Sequence, residues 1–500
     1  MSVTLKPLVA AETSQQSAHD TRGERIAQTI AIAAMYAAPA LFCLRLANIA
    51  DADVFWHLRT GEWILQHHAV PHVDPFSSAT AGKPWDAYSW LFEVLIFRLS
   101  HAFGLAGIVA CTTAMVLAIT VALHHLVRRL QPDFSLTVLL TITACLPLGH
   151  LFFPRPWLFS ILFLIIEVDI LMFVRKTNRL RELACLPLLF ALWANLHIQF
   201  IDGLIVLGIA FAESIVARRL HDRRSRTHPL CLGAVLLASI VAVAANPYGW
   251  HIYRTSYDLA SQPGVLDRIN ELKALPFREL PDFCVLFLAL AAAAALARAV
   301  RIPLFETALL LFAAVVSFRS QRDVWLVTIV AVAILANRIT GSAKAPESLP
   351  PFGRTVATLA AGATLFAAFP LMHLNNAFLA AKLSNDVPVK AVEFVQQRGY
   401  SGPLYNDFNW GGYLIWSLRQ PVSIDGRAAL HGDRELDRAV ATTGAQPGWS
   451  DDPELASAHL IILPVKSPIV QVLRLTSKYE VVYEDSLAAV LIVRTPQAPR

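Results

Sequence analysis

Stretches of 17 or more residues without a single charge, such as Pro229–Ala245 and Thr355–Leu371, recur along the chain. A run of that length can cross a bilayer as a helix, because about 20 residues rising 1.5 Å each span its roughly 30 Å hydrocarbon core. A soluble fold of 500 residues would also need more charge over its surface than this chain has. Only 16% of its residues are charged and 55% are hydrophobic, with a mean hydropathy of +0.50. The sequence is that of a polytopic α-helical membrane protein.

The apolar runs predict eleven spans, at 27–49, 105–127, 134–152, 156–174, 183–199, 200–217, 229–246, 282–299, 303–318, 322–338 and 353–373. The pair covering 183–217 is interrupted by Asn195, His197, Gln199 and Asp202. Loop charge sets the expected orientation, since cytoplasmic segments collect Lys and Arg. With residues 1–25 as a cytoplasmic tail, the inner segments hold 19 basic residues and the outer loops ten. The long loops 50–104 and 247–281 then lie outside, together with everything after the transmembrane part, 26–374.

From about residue 375 to 500 the pattern changes. Strand-length apolar runs appear at 403–405, 422–424, 460–464, 480–483 and 488–493, separated by helix-compatible stretches at 387–398 and 467–478. Strands alternating with helices predict a small extracytoplasmic α/β domain. The six cysteines all sit in or beside apolar runs without a CxxC pair, so they read as packing residues rather than disulfide or zinc partners. Residues 1–25 are polar, and the run Ile26–Ile49 is too long for the apolar core of a signal peptide. No basic tract is interleaved with aromatics, which argues against nucleic acid as a partner.

Ionisable residues at the ends of spans are functional candidates by default. The densest cluster follows the first span, where Asp51, Asp53, His57, Arg59 and Glu62 fall within 12 residues. Two carboxylates two residues apart, on an extended segment leaving a helix, can converge on one substrate proton. They can equally converge on one Mg or Mn ion shared with a substrate phosphate; helix termination facing water is the structural alternative. The next 40 residues add His72, Asp74, Trp85, Asp86, Trp90 and Glu93 in a loop expected to lack a core of its own. Elsewhere, Arg155 lies between two prolines, and Trp193, Asn195 and His197 end a span. Asn246, Tyr248 and Trp250 open the second long loop ahead of Asp267, Arg268 and Glu271, and Arg319 and Arg322 mark an outer turn. Arginines bind phosphate through paired N–H groups, so Arg155, Arg319 and Arg322 are candidate phosphate ligands; interfacial snorkelling is their structural alternative.

The run D-A-D-V-F-W-H-L-R-T-G-E-W from Asp51 to Trp63, followed by V-P-H-V-D-P-F-S and G-K-P-W, resembles the first outer loop of GT-C glycosyltransferases. These integral-membrane enzymes take sugar from a polyprenyl-phosphate carrier. The resemblance implies Asp53 as the catalytic carboxylate, Asp51 as its neighbour and Asp74 as a supporting acid. It also implies a bacterial cell membrane as the location. A second stretch, Asn406-Asp407-Phe408-Asn409-Trp410-Gly411-Gly412-Tyr413 and then Asp425-Gly426-Arg427, resembles the acceptor region of oligosaccharyltransferases. It lacks that region's W-W-D core, so recognition of a peptide sequon does not carry over. Here Gly411-Gly412 is expected to make a tight turn presenting Trp410 and Tyr413, and 425–427 to end a strand. Trp410, Tyr413, Asp425, Arg427 and His57 are the candidate acceptor ligands, with docking of the domain onto the membrane part as their structural alternative.

The function these readings predict is inverting transfer of a sugar from a polyprenyl-phosphate donor in the membrane to an extracytoplasmic glycan, lipid or protein. Two other classes compete. A transporter or flippase for a lipid-linked intermediate predicts charges at the bilayer midplane and an inverted repeat. A non-catalytic assembly protein predicts that Asp53 can be replaced without consequence.

Overall fold

The computed structural model of the protein describes residues 6–49, 51–219, 228–261, 269–340 and 349–494, with side chains from residue 22 onward. Asp267 and Arg268 lie outside the described residues. Each of the eleven apolar runs is helical. Seven are long and apolar enough to cross a bilayer: Arg22–Leu46 at the end of helix α1 (Lys6–Leu46), Leu105–Leu130, Phe134–Leu151, Trp157–Thr177, Phe200–Arg219, Leu280–Ala297 and Pro351–Leu371.

The other four are shorter: Leu186–Leu196, Pro229–Val243, Leu304–Arg319 and Val324–Arg338. The last shows why a short helix can lie among membrane spans. Thirteen of its 15 residues are buried, and a helix apolar all round is stable where other helices surround it. At about 22 Å it is shorter than the hydrocarbon core, but it meets protein rather than lipid. Pro351–Leu371 is its opposite, with Phe352 and Phe366 about four-fifths exposed on the outer wall of the bundle.

Polar contacts tie the helix ends into two opposed sets. At one end Arg175 grips Glu213 through two bonds of 2.7 and 2.9 Å. There Arg338 and Asn337 also hold Glu306, and Arg129 meets Asp169. At the other end Trp90 Nε1 donates to Asn195 (2.8 Å), Gln199 to Asp323 (2.6 Å), and the Tyr248 hydroxyl accepts from Ala87 N–H (2.7 Å). The resemblance-bearing residues all belong to this second end.

Loop 50–104 is not the coreless loop expected from the sequence. It contains α2 (Val54–His67) and α3 (Trp90–Phe103), which pack on each other. Their apolar faces, including Phe55, Trp56, Leu58, Phe92 and Ile96, join the same continuous core as the membrane helices.

The C-terminal part forms a four-stranded sheet of order β1-β2-β4-β3, with β1 Leu404–Asn406, β2 Leu460–Pro464, β3 Tyr479–Glu484 and β4 Ala488–Val493. β1 runs parallel to β2 (Leu404 opposite Leu460), and the other pairs are antiparallel, with Ile461 opposite Leu491 and Val481 also opposite Leu491. Helices Val389–Arg398 and Pro468–Arg474 occupy the two stretches expected to be helical. The expected strand at 422–424 reduces to one bridging residue. Val422 pairs with Leu404 on one side and Ser77 on the other, its N–H donating to Phe76 O (3.1 Å) and its carbonyl accepting from Ser78 N–H (2.8 Å). Loop 50–104 is thereby joined to the sheet through backbone bonds. All six cysteines are free thiols.

Candidate active site

The chain leaves α1 at Leu46 and enters α2 at Val54, so the D-A-D motif is the helix-entry turn rather than an extended segment. Asp53 occupies the N-cap position. A capping Asp ordinarily turns its carboxylate back onto the first free N–H groups of the helix. Here no such bond forms, and the carboxylate faces away from the helix. Asp51 supports the turn instead, its Oδ1 accepting from the Asp53 N–H at 2.9 Å.

Both carboxylates meet Arg155. Its Nε lies 2.7 Å from Asp51 Oδ1, and its Nη1 contacts Asp53 Oδ2. All three side chains are only 11–16% exposed. Arg155 is set between Pro154 and Pro156 just before Trp157–Thr177, and its guanidinium stands 5.2 Å from the Trp157 ring centre.

The C-terminal domain roofs this turn through Gly412 and Gly426, with Gly411 packed against its own segment. A side-chain carbon on Gly412 would strike Ala52 O and lie 3.4 Å from Trp56, and one on Gly426 would fall on Asp53 Oδ1. One on Gly411 would stand 2.6 Å from Asp425 Cα. The pair Gly411-Gly412 is therefore not a turn. It starts helix Gly411–Leu418 with helical backbone angles, and the glycines permit close approach to α2. Trp56 Nε1 is buried without a hydrogen-bond partner among the described residues. It lies 3.6 Å from where a Gly426 side-chain carbon would stand.

Beside the roof, Arg427 holds Asp425 with two bonds of 2.7 and 2.8 Å and Asp74 with one of 2.6 Å. These three side chains are at most 3% exposed. Burial alone would raise the Asp425 carboxyl, but the Arg427 guanidinium and His431 outweigh it and hold the carboxyl well below the ordinary range. Asp74 also accepts from Phe76 N–H (2.9 Å) and from the Thr80 hydroxyl. Asp74, Asp425 and Arg427 thus form a buried lock between loop 50–104 and the C-terminal domain, and do not line an open groove.

His57 and the aromatic candidates are likewise packed. His57 Nδ1 sits 3.1 Å from Glu93 Oε1, with both side chains buried. Burial pushes the Glu93 carboxyl up and lowers His57 to about 3, so both shifts disfavour the charged forms. Trp410 donates to Asp386 O at 3.1 Å, and Tyr413 packs edge-on against Phe55, ring centres 5.1 Å apart. Glu93 is expected from the sequence only as one of the loop's polar residues, Gly412 as part of a turn and Gly426 as part of a strand end; their packing against His57, Ala52 and Asp53 is not. An acid three residues into an apolar helix was the available signal for the first, and glycines beside the motif aromatics were that for the others.

Arg319 is exposed, while Arg322 is half-buried and 3.6 Å from Glu271. Their turn lies beside that of Arg155, since His150 Nε2 meets Gln321 O at 3.4 Å. The expected Mg or Mn ion does not fit the carboxylate pair in this arrangement, because a guanidinium already bridges Asp51 and Asp53. Among the described residues, no group of three or more His, Cys, Asp or Glu side chains is disposed to hold a metal.

No protein-family model matches the chain. No curated protein matches it either. Among solved structures, the chain is similar to ArnT from Cupriavidus metallidurans bound to undecaprenyl phosphate. That likeness has 14% identity, covers 93% of this chain and 98% of that one, and has a TM-score of 0.46.

Proposed function

We propose that the chain is an integral-membrane glycosyltransferase that moves a sugar from a polyprenyl-phosphate carrier to an acceptor at the membrane face carrying loop 50–104. The observation that carries this reading is the Asp53 carboxylate. It sits at a helix entry directly after a membrane span, is released from capping, and is paired with an arginine under the roof of a second domain. A carrier lipid reaches that depth from the bilayer, and a water-borne acceptor reaches it from the other side.

In the reaction, the acceptor oxygen bonds to the anomeric carbon of the sugar as the bond from that carbon to the phosphate oxygen breaks. The acceptor proton passes to Asp53, and the bonding electron pair leaves with the carrier phosphate. Arg155, with Arg322 and Arg319 on the neighbouring turn, supplies positive charge for that leaving group. No step is routed through a metal. The loop-charge bias supports placing this face outside the cytoplasm, and the resemblance to GT-C glycosyltransferases implies a bacterial cell membrane.

Asp53→Asn keeps the shape and removes the base. Transfer of labelled sugar in membranes carrying this variant should fall by about 10²–10⁴ while the protein inserts normally. Full transfer by Asp53→Asn would overturn the catalytic role and favour the assembly-protein reading.

A further inference from the structure

We infer that Arg155 serves two anions in turn, holding Asp51 and Asp53 at rest and moving to the carrier phosphate when the donor enters, which releases Asp53 to take the acceptor proton. This rests on the glycosyltransferase reading above and deepens it. The first argument is steric. Both oxygens of the proposed base are covered, Oδ2 by the Arg155 Nη1 and Oδ1 by Gly426, which packs so closely that a side-chain carbon there would fall on it. A guanidinium held against a carboxylate favours its charged form and weakens it as a base, so withdrawing that cover strengthens Asp53 as a proton acceptor.

The second argument is charge. Two carboxylates around one guanidinium leave the cluster with a net negative charge, which repels an incoming phosphate. Exchange resolves this, since a phosphate offers the guanidinium the paired oxygens it binds best. Gly426 is the less suitable cover to move, because Arg427 next to it is fixed by three bonds to two buried carboxylates.

The third argument is mechanical. The backbone at Arg155 is pinned by a proline on each side, by its own N–H donating to Phe153 O (2.7 Å), and by its carbonyl accepting from Leu158 N–H (3.3 Å). Only the guanidinium head can travel, and the Trp157 ring beside it offers an apolar surface to slide over. The neighbouring turn carrying Arg322 gives the phosphate a second cation.

The test is binding of undecaprenyl phosphate to the full-length chain in nanodiscs, titrated at fixed salt. If Asp53 competes with the phosphate for Arg155, Asp53→Asn should bind this probe about tenfold more tightly than the parent chain. Arg155→Ala should bind it more weakly, and adding Asp53→Asn to Arg155→Ala should bring no gain. Arg155→Lys keeps the charge without the fork and guards against a folding failure of the alanine variant. In that background too the gain should shrink. Unchanged or weaker binding by Asp53→Asn overturns the exchange. A gain that persists without Arg155 also overturns it, since that is simple relief of repulsion. If neither the parent chain nor any variant binds the probe, the polyprenyl-phosphate reading itself fails and the exchange fails with it.

Discussion

Replacing Arg427 by Ala should separate the C-terminal domain from loop 50–104. Arg427 binds both carboxylates of the buried lock, Asp74 and Asp425, and its guanidinium also lies 4.6 Å from the Trp85 ring centre and 5.4 Å from that of Phe76. Removing one partner of a buried ion pair costs about 3–5 kcal/mol, because the remaining charge stays buried and unmatched. Here two carboxylates lose their guanidinium, so the upper half of that range is expected. With a urea slope of roughly 1–3 kcal/mol/M for a domain of this size, the midpoint for protease protection of residues 375–494 should fall by about 2 M in detergent micelles. The pH dependence should also weaken. In the parent chain Asp425 is held below its ordinary range, so it contributes stability above the unfolded value near 3.9 that is lost as the medium is acidified. Without Arg427, only His431 opposes burial and the carboxyl moves up from its parent-chain position, so the stability lost on acidification shrinks. A change in midpoint below about 0.3 M, or an unaltered pH profile, would refute the lock.

Three further outcomes follow from the same geometry. Gly426→Ala should push Asp53 off Arg155, with about 1–3 kcal/mol of overpacking; sugar transfer should drop at least tenfold while protease resistance of the membrane helices is kept, and unimpaired transfer would remove the claim of close contact. Charge removal at Arg322, and more weakly at exposed Arg319, should reduce undecaprenyl phosphate affinity more than it lowers the unfolding midpoint, with the reverse pattern assigning both to structure. A reporter fused after Arg500 that works only outside the cytoplasm should be active, and activity of a cytoplasm-only reporter there would reverse the orientation.

The membrane part was legible because each of its helices announces itself locally, by a charge-free run of the right length. Even Val324–Arg338, too short to span, was found that way, since apolar composition marks a helix buried among helices as well as one in lipid. Loop 50–104 was misread for the converse reason. α2 and α3 are amphipathic, and besides each other their apolar faces meet helix Gly411–Leu418, Leu105–Leu130 and Leu186–Leu196, so the covering surface is partly distant in sequence. The site divides along the same line. Asp51 and Asp53 stand out because a pair of acids after a span is costly wherever it points. Arg155 is 102 residues from Asp53, and nothing in a single sequence links that arginine to the turn. The glycines are harder still. A glycine next to a motif signals either a positive backbone angle or a close approach, and only the second holds at Gly411, Gly412 and Gly426, none of which has a positive φ. That outcome changes what the motif aromatics mean. With Gly412 against Ala52 and Gly426 against Asp53, Tyr413 packs on Phe55 and Trp410 is buried with its N–H on Asp386, so in this arrangement the motif aromatics hold the roof over the carboxylate.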